Sequence, residues 1–144
     1  MDIVYKKHTL TTDEFLSIES SMDNVDTTSR EQAEKSLSHQ ICSVAAFSGN
    51  DIIGIGRLIG DASIYWCLVD IWVLPEHRGK GIGRNIVSWL LKYVKDSSIK
   101  GTSVSVFLMS AKGKEGFYEK LGFRRRPHEY EGSGMEMEID IERY

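Results

Sequence analysis

The run Tyr65-Trp66-Cys67-Leu68-Val69-Asp70-Ile71-Trp72-Val73-Leu74 constrains this chain more than any other segment. Pro75 stops it, and a glycine-rich loop, Arg78-Gly79-Lys80-Gly81-Ile82-Gly83, follows at once. Apolar on nearly every residue, the run reads as a central strand covered on both faces. After the glycines, Ile82, Ile86, Leu90 and Tyr93, with Val87 and Val94 beside them, form one stripe. Arg84, Asn85, Ser88, Lys92 and Lys95 fall largely elsewhere, which predicts a helix running to about Asp96. Thr102 to Met109 alternates around Val104, Val106 and Leu108 and reads as a strand. Strand, loop, helix and strand together make a βαβ-like unit.

The flanks are simpler. Thr11-x-x-Glu14 is a capping box that predicts a helix carrying Phe15, Ile18 and Met22, and Thr28-x-x-Glu31 predicts a second helix with a thin apolar face, Ala33 and Leu37. Gln40 to Phe47 and Asp51 to Ile59 read as strands joined by the hairpin turn Ser48-Gly49-Asn50-Asp51, with a further turn at Gly60-Asp61-Ala62-Ser63. A short helix is expected near Lys114 to Lys120, ended by Gly122. The strict alternation Met135-Glu136-Met137-Glu138-Ile139-Asp140-Ile141 predicts a strand with one wet face.

With 144 residues, residues 1–144 are expected to form one domain, and 41% hydrophobic with 27% charged residues is the composition of a globular protein. A net charge of −3 gives no electrostatic reason to expect nucleic acid. No apolar run approaches the roughly 20 residues of a membrane-spanning helix, and the N-terminus lacks a signal-peptide core, so the default location is the cytoplasm. Cys42 and Cys67 stand apart, without zinc-type spacing, and read as buried thiols, although the sequence leaves a disulfide between them open. No metal site is expected.

A buried strand, a tight polar loop and a helix beginning near Gly81 place several backbone N–H groups at the positive end of a helix dipole, a setting that holds an anion. Glycine removes the obstruction of a Cβ and accepts positive φ. Arg78, Lys80 and Arg84 add charge. A Walker loop would need Ser or Thr after Gly79-Lys80, where Gly81 stands. A dinucleotide fingerprint aligned on Gly81-x-Gly83 would need glycine or alanine where Ile86 stands.

Leu74-Pro75-Glu76-His77-Arg78-Gly79-Lys80-Gly81-Ile82-Gly83 resembles the Gln/Arg-x-x-Gly-x-Gly/Ala signature of the GNAT superfamily of N-acetyltransferases. Gly116-Phe117-Tyr118-Glu119-Lys120-Leu121-Gly122-Phe123 is similar to that family's later aromatic-Tyr-x-x-x-Gly-Phe motif. The resemblance implies an α/β fold, an α+β mixed sheet that is central, twisted and mostly antiparallel, with a central parallel strand pair and flanking helices. It implies that acetyl-CoA is the co-substrate, its pyrophosphate cradled by Arg78, Gly79, Lys80, Gly81, Ile82, Gly83 and Arg84. It further implies that Ile71, Trp72 and Val73 meet the thioester arm, with an oxyanion donor in the backbone near Trp72 or Val73. Ser110, where the family often has Asn, joins Lys114 and Phe117 as implied cofactor contacts; Lys112 and Lys114 read equally as exposed lysines, and Phe117 with Leu121 as core.

Acetyl transfer to an amine requires a proton acceptor for the amine, a donor to the oxyanion and a proton for the departing thiolate. The resemblance assigns the last task to Tyr118, which sits about 100° around the helix from Phe117 and so at the flank of the buried stripe. Asp70 is the first candidate for the base, acting directly or through water; the alternative is a structural acid hydrogen-bonded to its neighbours. Glu76 and His77 read as solvated loop residues, and Arg124-Arg125-Arg126 as an edge strand rather than a nucleic-acid patch. Residues 1–40 hold eight acids against four Lys or Arg, a hint of a cationic acceptor. An N-acetyltransferase for a small-molecule or peptide amine is the leading expectation, and a non-catalytic CoA sensor the alternative. Exposed strand edges are compatible with a homodimer, and no membrane partner is expected.

Overall fold

A computed structural model describes residues 2–23 and 27–141. They fall into two compact units, Met1–Leu108 and Met109–Tyr144.

In the first unit, β1 (Ile3–Lys7), β2 (Cys42–Ser48), β3 (Asp51–Gly60), β4 (Tyr65–Val73) and β5 (Ser105–Phe107) lie side by side in chain order. The first three pairings are antiparallel and β4–β5 is parallel, with Tyr65 opposite Ser105 and Cys67 opposite Phe107. Helix α3 (Ile82–Ser97) makes the crossover that a parallel pair requires. The β2–β3 turn is as tight as expected, with Gly49 at φ 63° in its loop. In the next turn Asp61 accepts the N–H groups of Ser63, Ile64 and Tyr65, each at 2.9 Å.

Helix α1 (Thr12–Ser20) starts at the expected box: Thr11 Oγ1 accepts from the Glu14 N–H at 3.1 Å, and the Glu14 carboxylate accepts from the Thr11 N–H at 2.9 Å. The box expected at Thr28 does not form. Helix α2 (Arg30–His39) is capped instead by Ser29, which accepts from the Gln32 N–H at 3.1 Å. Thr28 is engaged elsewhere, giving its N–H and hydroxyl to the buried Glu19 at 2.9 and 2.6 Å. A carboxylate removed from water needs donors more urgently than a helix end that solvent can reach.

The sheet separates two cores because successive strand residues point to opposite faces. On one side Leu10, Phe15, Ile18 and Ala33 pack with Ala45 and Ile55, and Trp72 joins them. On the other, the glycines flanking Ile55 receive α3: a Cβ on Gly56 would stand 2.5 Å from Ile86 Cγ2 and 2.9 Å from Leu90 Cδ1, and one on Gly54 would stand 3.1 Å from Ile86 Cδ1. Glycine inside a strand ordinarily weakens it, but here it admits the helix.

Two strand expectations change in extent. β4 is second from the edge of the described sheet, and only Trp66 and Leu68 of it are buried, so its two faces are unequally covered. β5 is three residues long rather than the eight that alternate in sequence, because its ladder with β4 ends at Phe107.

The second unit carries α4 (Glu115–Lys120), ended at Leu121 with Gly122 at φ 103°. Arg124-Arg125-Arg126 is not a strand. Its cations face carboxylates: Arg125 lies 2.9 Å from Glu119, and Arg124 and Arg126 lie 3.8 Å from Glu131. Nor do Met135 to Ile141 form a strand. The four apolar residues Met135, Met137, Ile139 and Ile141 are 92%, 82%, 71% and 86% exposed. Alternation prepares a segment for one face of a sheet, but a strand exists only where a second strand takes its hydrogen bonds.

Candidate active site

Pro75–His77 forms a single 3-10 turn that redirects the chain from β4 into the glycine loop. Gly79 and Gly81 follow at φ 79° and 80°, each with open space where a Cβ would be. The requirement for glycine at both positions is therefore conformational. Gly81 is the N-cap of α3 and supplies no side-chain cap. The first turn's N–H groups, those of Ile82, Gly83 and Arg84, precede the first intrahelical bond, from Asn85 N–H to Gly81 O at 3.1 Å. These amides and the helix dipole make the start of α3 suited to a phosphate. Lys80 and Arg84 are exposed beside it. Arg78 bends away, its Nε–H donating to the Val73 carbonyl at 3.1 Å and its Nη2 lying 3.6 Å from Met22 Sδ.

Two irregularities meet in β4. Its parallel pairing with β5 stops at Cys67, while its pairing with β3 continues to Val73, so Ile71, Trp72 and Val73 lie beyond the point where β4 and β5 part. On the β3 side, Ile55 faces Trp72 and Arg57 faces Val69, leaving Gly56 alone against Asp70 and Ile71. This is a β-bulge. Asp70 takes φ 52°, a left-handed conformation that Asp and Asn tolerate better than most residues. Beyond the bulge, the Trp72 ring lies 5.5 Å from Phe15.

The Asp70 carboxylate accepts from Arg57 Nη1 at 2.7 Å. Burial pushes its pKa up, the bond and charge of Arg57 pull it down, and the nearby charge of Glu19 pushes it up again; the net direction is upward from the ordinary carboxylate range. Arg57 is buried, and its signal in the sequence is a lone cation inside the apolar stretch Ile52–Ile59. Sequence reasoning passed over it, together with Gln40 and Ser36, whose side chains also bind its guanidinium.

In the second unit, Ser110 donates its hydroxyl to the Ala111 carbonyl at 2.7 Å. Lys112 and Lys114 are exposed. Phe117 and Leu121 are half-buried rather than core, since α4 is short and none of its residues is fully buried. The Tyr118 ring meets Phe117 at 5.0 Å and Phe123 at 5.9 Å, both edge-on, and burial pushes its phenol pKa up. The glycine loop, Ile71, Trp72, Val73 and Asp70 thus lie in the first unit, with the Asp70 and Trp72 side chains turned to Arg57 and Phe15, and Phe117 and Tyr118 lie together in the second.

An open hollow of about 460 Å³, lined among others by Asp51, Glu76 and His77, contains neither Asp70 nor any residue of the glycine loop. Cys42 and Cys67 are free thiols, and burial raises the Cys42 pKa to about 11. Among the described residues no group of three or more His, Cys, Asp or Glu is arranged to hold a metal ion, and no helix is long and apolar enough to cross a membrane.

The family model for the acetyltransferase (GNAT) domain matches residues 38–125, more than half of the chain. The chain belongs to the GNAT family of acetyltransferases. Its fold agrees: a crystal structure of a probable acetyltransferase from meticillin-resistant Staphylococcus aureus aligns with a TM-score of 0.81 and 28% identity, covering 96% of this chain and 100% of that one. A GNAT family acetyltransferase from Streptococcus pneumoniae aligns with a TM-score of 0.79 and 26% identity, covering 98% and 100%. A GNAT family acetyltransferase from Elizabethkingia anophelis, solved with acetyl-CoA bound, shares the fold at a TM-score of 0.66 and 21% identity over 87% and 78%. An uncharacterized ycf52-like N-acetyltransferase from Prochlorococcus marinus is 30% identical over 76 residues, 53% of this chain. The chain covers 40% of the length of that relative. The mixed sheet with one parallel pair and flanking helices is the GNAT architecture.

Proposed function

We propose that this GNAT protein transfers the acetyl group of acetyl-CoA to a primary amine of a small molecule or peptide, by direct attack within a ternary complex. The observation that carries this reading is the conjunction in one unit of an uncapped α3 N-terminus behind two positive-φ glycines and a β4 that leaves β5 at Cys67. The amides of Ile82, Gly83 and Arg84 and the charges of Lys80 and Arg84 are offered to the pyrophosphate, and Gly79 and Gly81 shape the loop. Arg78 would have to leave Val73 to join them. Ile71, Trp72 and Val73 lie where β4 no longer has β5 beside it. The open space at Gly79 and Gly81 fits a ligand that must approach the backbone closely. Ser110, Lys114 and Phe117 are proposed as further contacts to the same co-substrate.

In the proposed reaction the amine nitrogen forms a bond to the acetyl carbonyl carbon while the carbon–sulfur bond breaks. The amine's surplus proton passes to Asp70, directly or through water, and the departing sulfur takes a proton from Tyr118. A backbone N–H near Trp72 or Val73 serves the oxyanion. Asp70's upward shift suits a proton acceptor better than an ordinary carboxylate would. The eight acids of residues 1–40 favour a cationic acceptor. Cytoplasmic location and a homodimer belong to the same proposal.

The test is release of free thiol from acetyl-CoA across a panel of small-molecule and peptide amines. Release with at least one amine, with a mass increase of one acetyl group on it, is the expected result. Binding of acetyl-CoA by calorimetry with no release for any acceptor would support a CoA sensor instead.

A further inference from the structure

Arg57 is 4% exposed, yet each nitrogen of its guanidinium is engaged by a different residue. Its Nε–H donates to Gln40 Oε1 at 2.8 Å, Nη1 to Asp70 Oδ2 at 2.7 Å and Nη2 to Ser36 Oγ at 2.9 Å. Its plane carbon lies 5.3 Å from the Phe15 ring centroid. Gln40 is itself tied back by Nε2–H donating to Ser43 Oγ at 3.0 Å, so the Nε side of the guanidinium is linked to β2. A planar fork gripped at three points cannot swing, so its position and that of the carboxylate it meets are set together. Asp70 stands at φ 52°, in the left-handed region that Asp tolerates better than most residues, and Arg57 fixes where its carboxylate lies.

We propose that Arg57 is a positioning residue for acetyl transfer, holding the Asp70 carboxylate at the β4 bulge and keeping it available to accept the amine proton. The inference rests on the proposed role of Asp70, and it adds α2 and its C-cap to the machinery through Ser36 and Gln40. The charged groups that act on Asp70 are Arg57 from β3 and Glu19 from α1. Glu19 is turned to the Thr28 N–H and hydroxyl and is buried, which fixes its carboxylate away from the guanidinium's three hydrogen bonds. Arg57 is thus the favourable partner and Glu19 the unfavourable one. Removing Arg57 leaves burial and Glu19 acting in the same direction, and Asp70 then stays protonated to higher pH.

The experiment follows the Asp70 carboxyl by carbon-13 NMR titration and, in parallel, the pH dependence of kcat/KM, in the wild type, Arg57→Gln and Arg57→Lys. In Arg57→Gln the Asp70 titration moves to higher pH and the acid limb of kcat/KM moves with it, lowering kcat/KM on that limb roughly tenfold or more. Arg57→Lys keeps a charge but loses the fork, and gives a smaller shift of the same sign. It also carries the comparison if Arg57→Gln does not fold. An Asp70 titration that stays in place in these variants overturns the inference. A titration that moves while the acid limb does not upholds Arg57's hold on Asp70 and removes Asp70 as the base, so the two readings fail separately. With Asp70→Asn as background, Arg57→Lys must leave the pH profile where it is; a further shift there would mean that Arg57 acts through some other group.

Discussion

A phenol whose pKa lies above its ordinary value of about 10 is fully protonated at neutral pH, which a proton donor to a departing thiolate requires. Tyr118 meets that condition, as an unshifted tyrosine also would, and burial, which pushes its pKa up, holds the proton more tightly. Tyr118→Phe is expected to lower kcat by roughly 10²-fold or more, with acetyl-CoA affinity by calorimetry nearly unchanged; wild-type turnover would remove it from the mechanism. A second prediction concerns the α1 cap. Burial pushes the Glu14 pKa up, but the Thr11 N–H and the His8 ring, 3.0 Å away, outweigh it and the net direction is downward. A carboxylate lowered in the folded state adds stability above its unfolded pKa, about 4.3, and loses it as the pH falls through the folded value. Glu14→Gln should therefore lower Tm at neutral pH, and the difference from wild type should shrink in acid. Thr11→Ala is expected to cost about 1 kcal/mol in chemical denaturation.

Between elements, α3 seats closely on β3. Gly56 has Ile86, Leu90 and Ile71 side chains where a Cβ would go, the last at 3.0 Å. Gly56→Ala should destabilise the protein by about 1–3 kcal/mol through overpacking, measured by urea denaturation. The displaced helix would carry the end of the glycine loop with it, so under the proposed function acetyl-CoA should also bind more weakly. An unchanged midpoint would show that α3 can retreat without cost. The bulge at Asp70 lies across from this same glycine, so one β3 residue serves both the helix contact and the register change.

For the molecule as a whole, protection of the backbone should be strongly uneven. Amides of the β2–β3 ladder are buried and paired, whereas Met135 to Ile141 have no strand partner among the described residues. Hydrogen exchange is expected to be fast for residues 135–141 and slow for residues 53–58. Protection of the C-terminal segment comparable to that of β3 would show that it pairs in solution. What the sequence by itself determined was local: the Thr11–Glu14 cap, the Gly49 turn, the glycine loop and the α3 stripe each depend on residues within a few positions of one another. The two motifs of the GNAT family are local in the same sense. Tertiary structure alone decided the rest. Arg57 finds Asp70, Ser36 and Gln40 across 13 to 21 residues of chain, and Thr28 abandons its cap for Glu19. The alternation of residues 135–141 goes unused because no strand pairs with it among the described residues. A hydrogen bond between distant residues is fixed by which groups burial leaves in need of a partner, and burial is a property of the assembled fold.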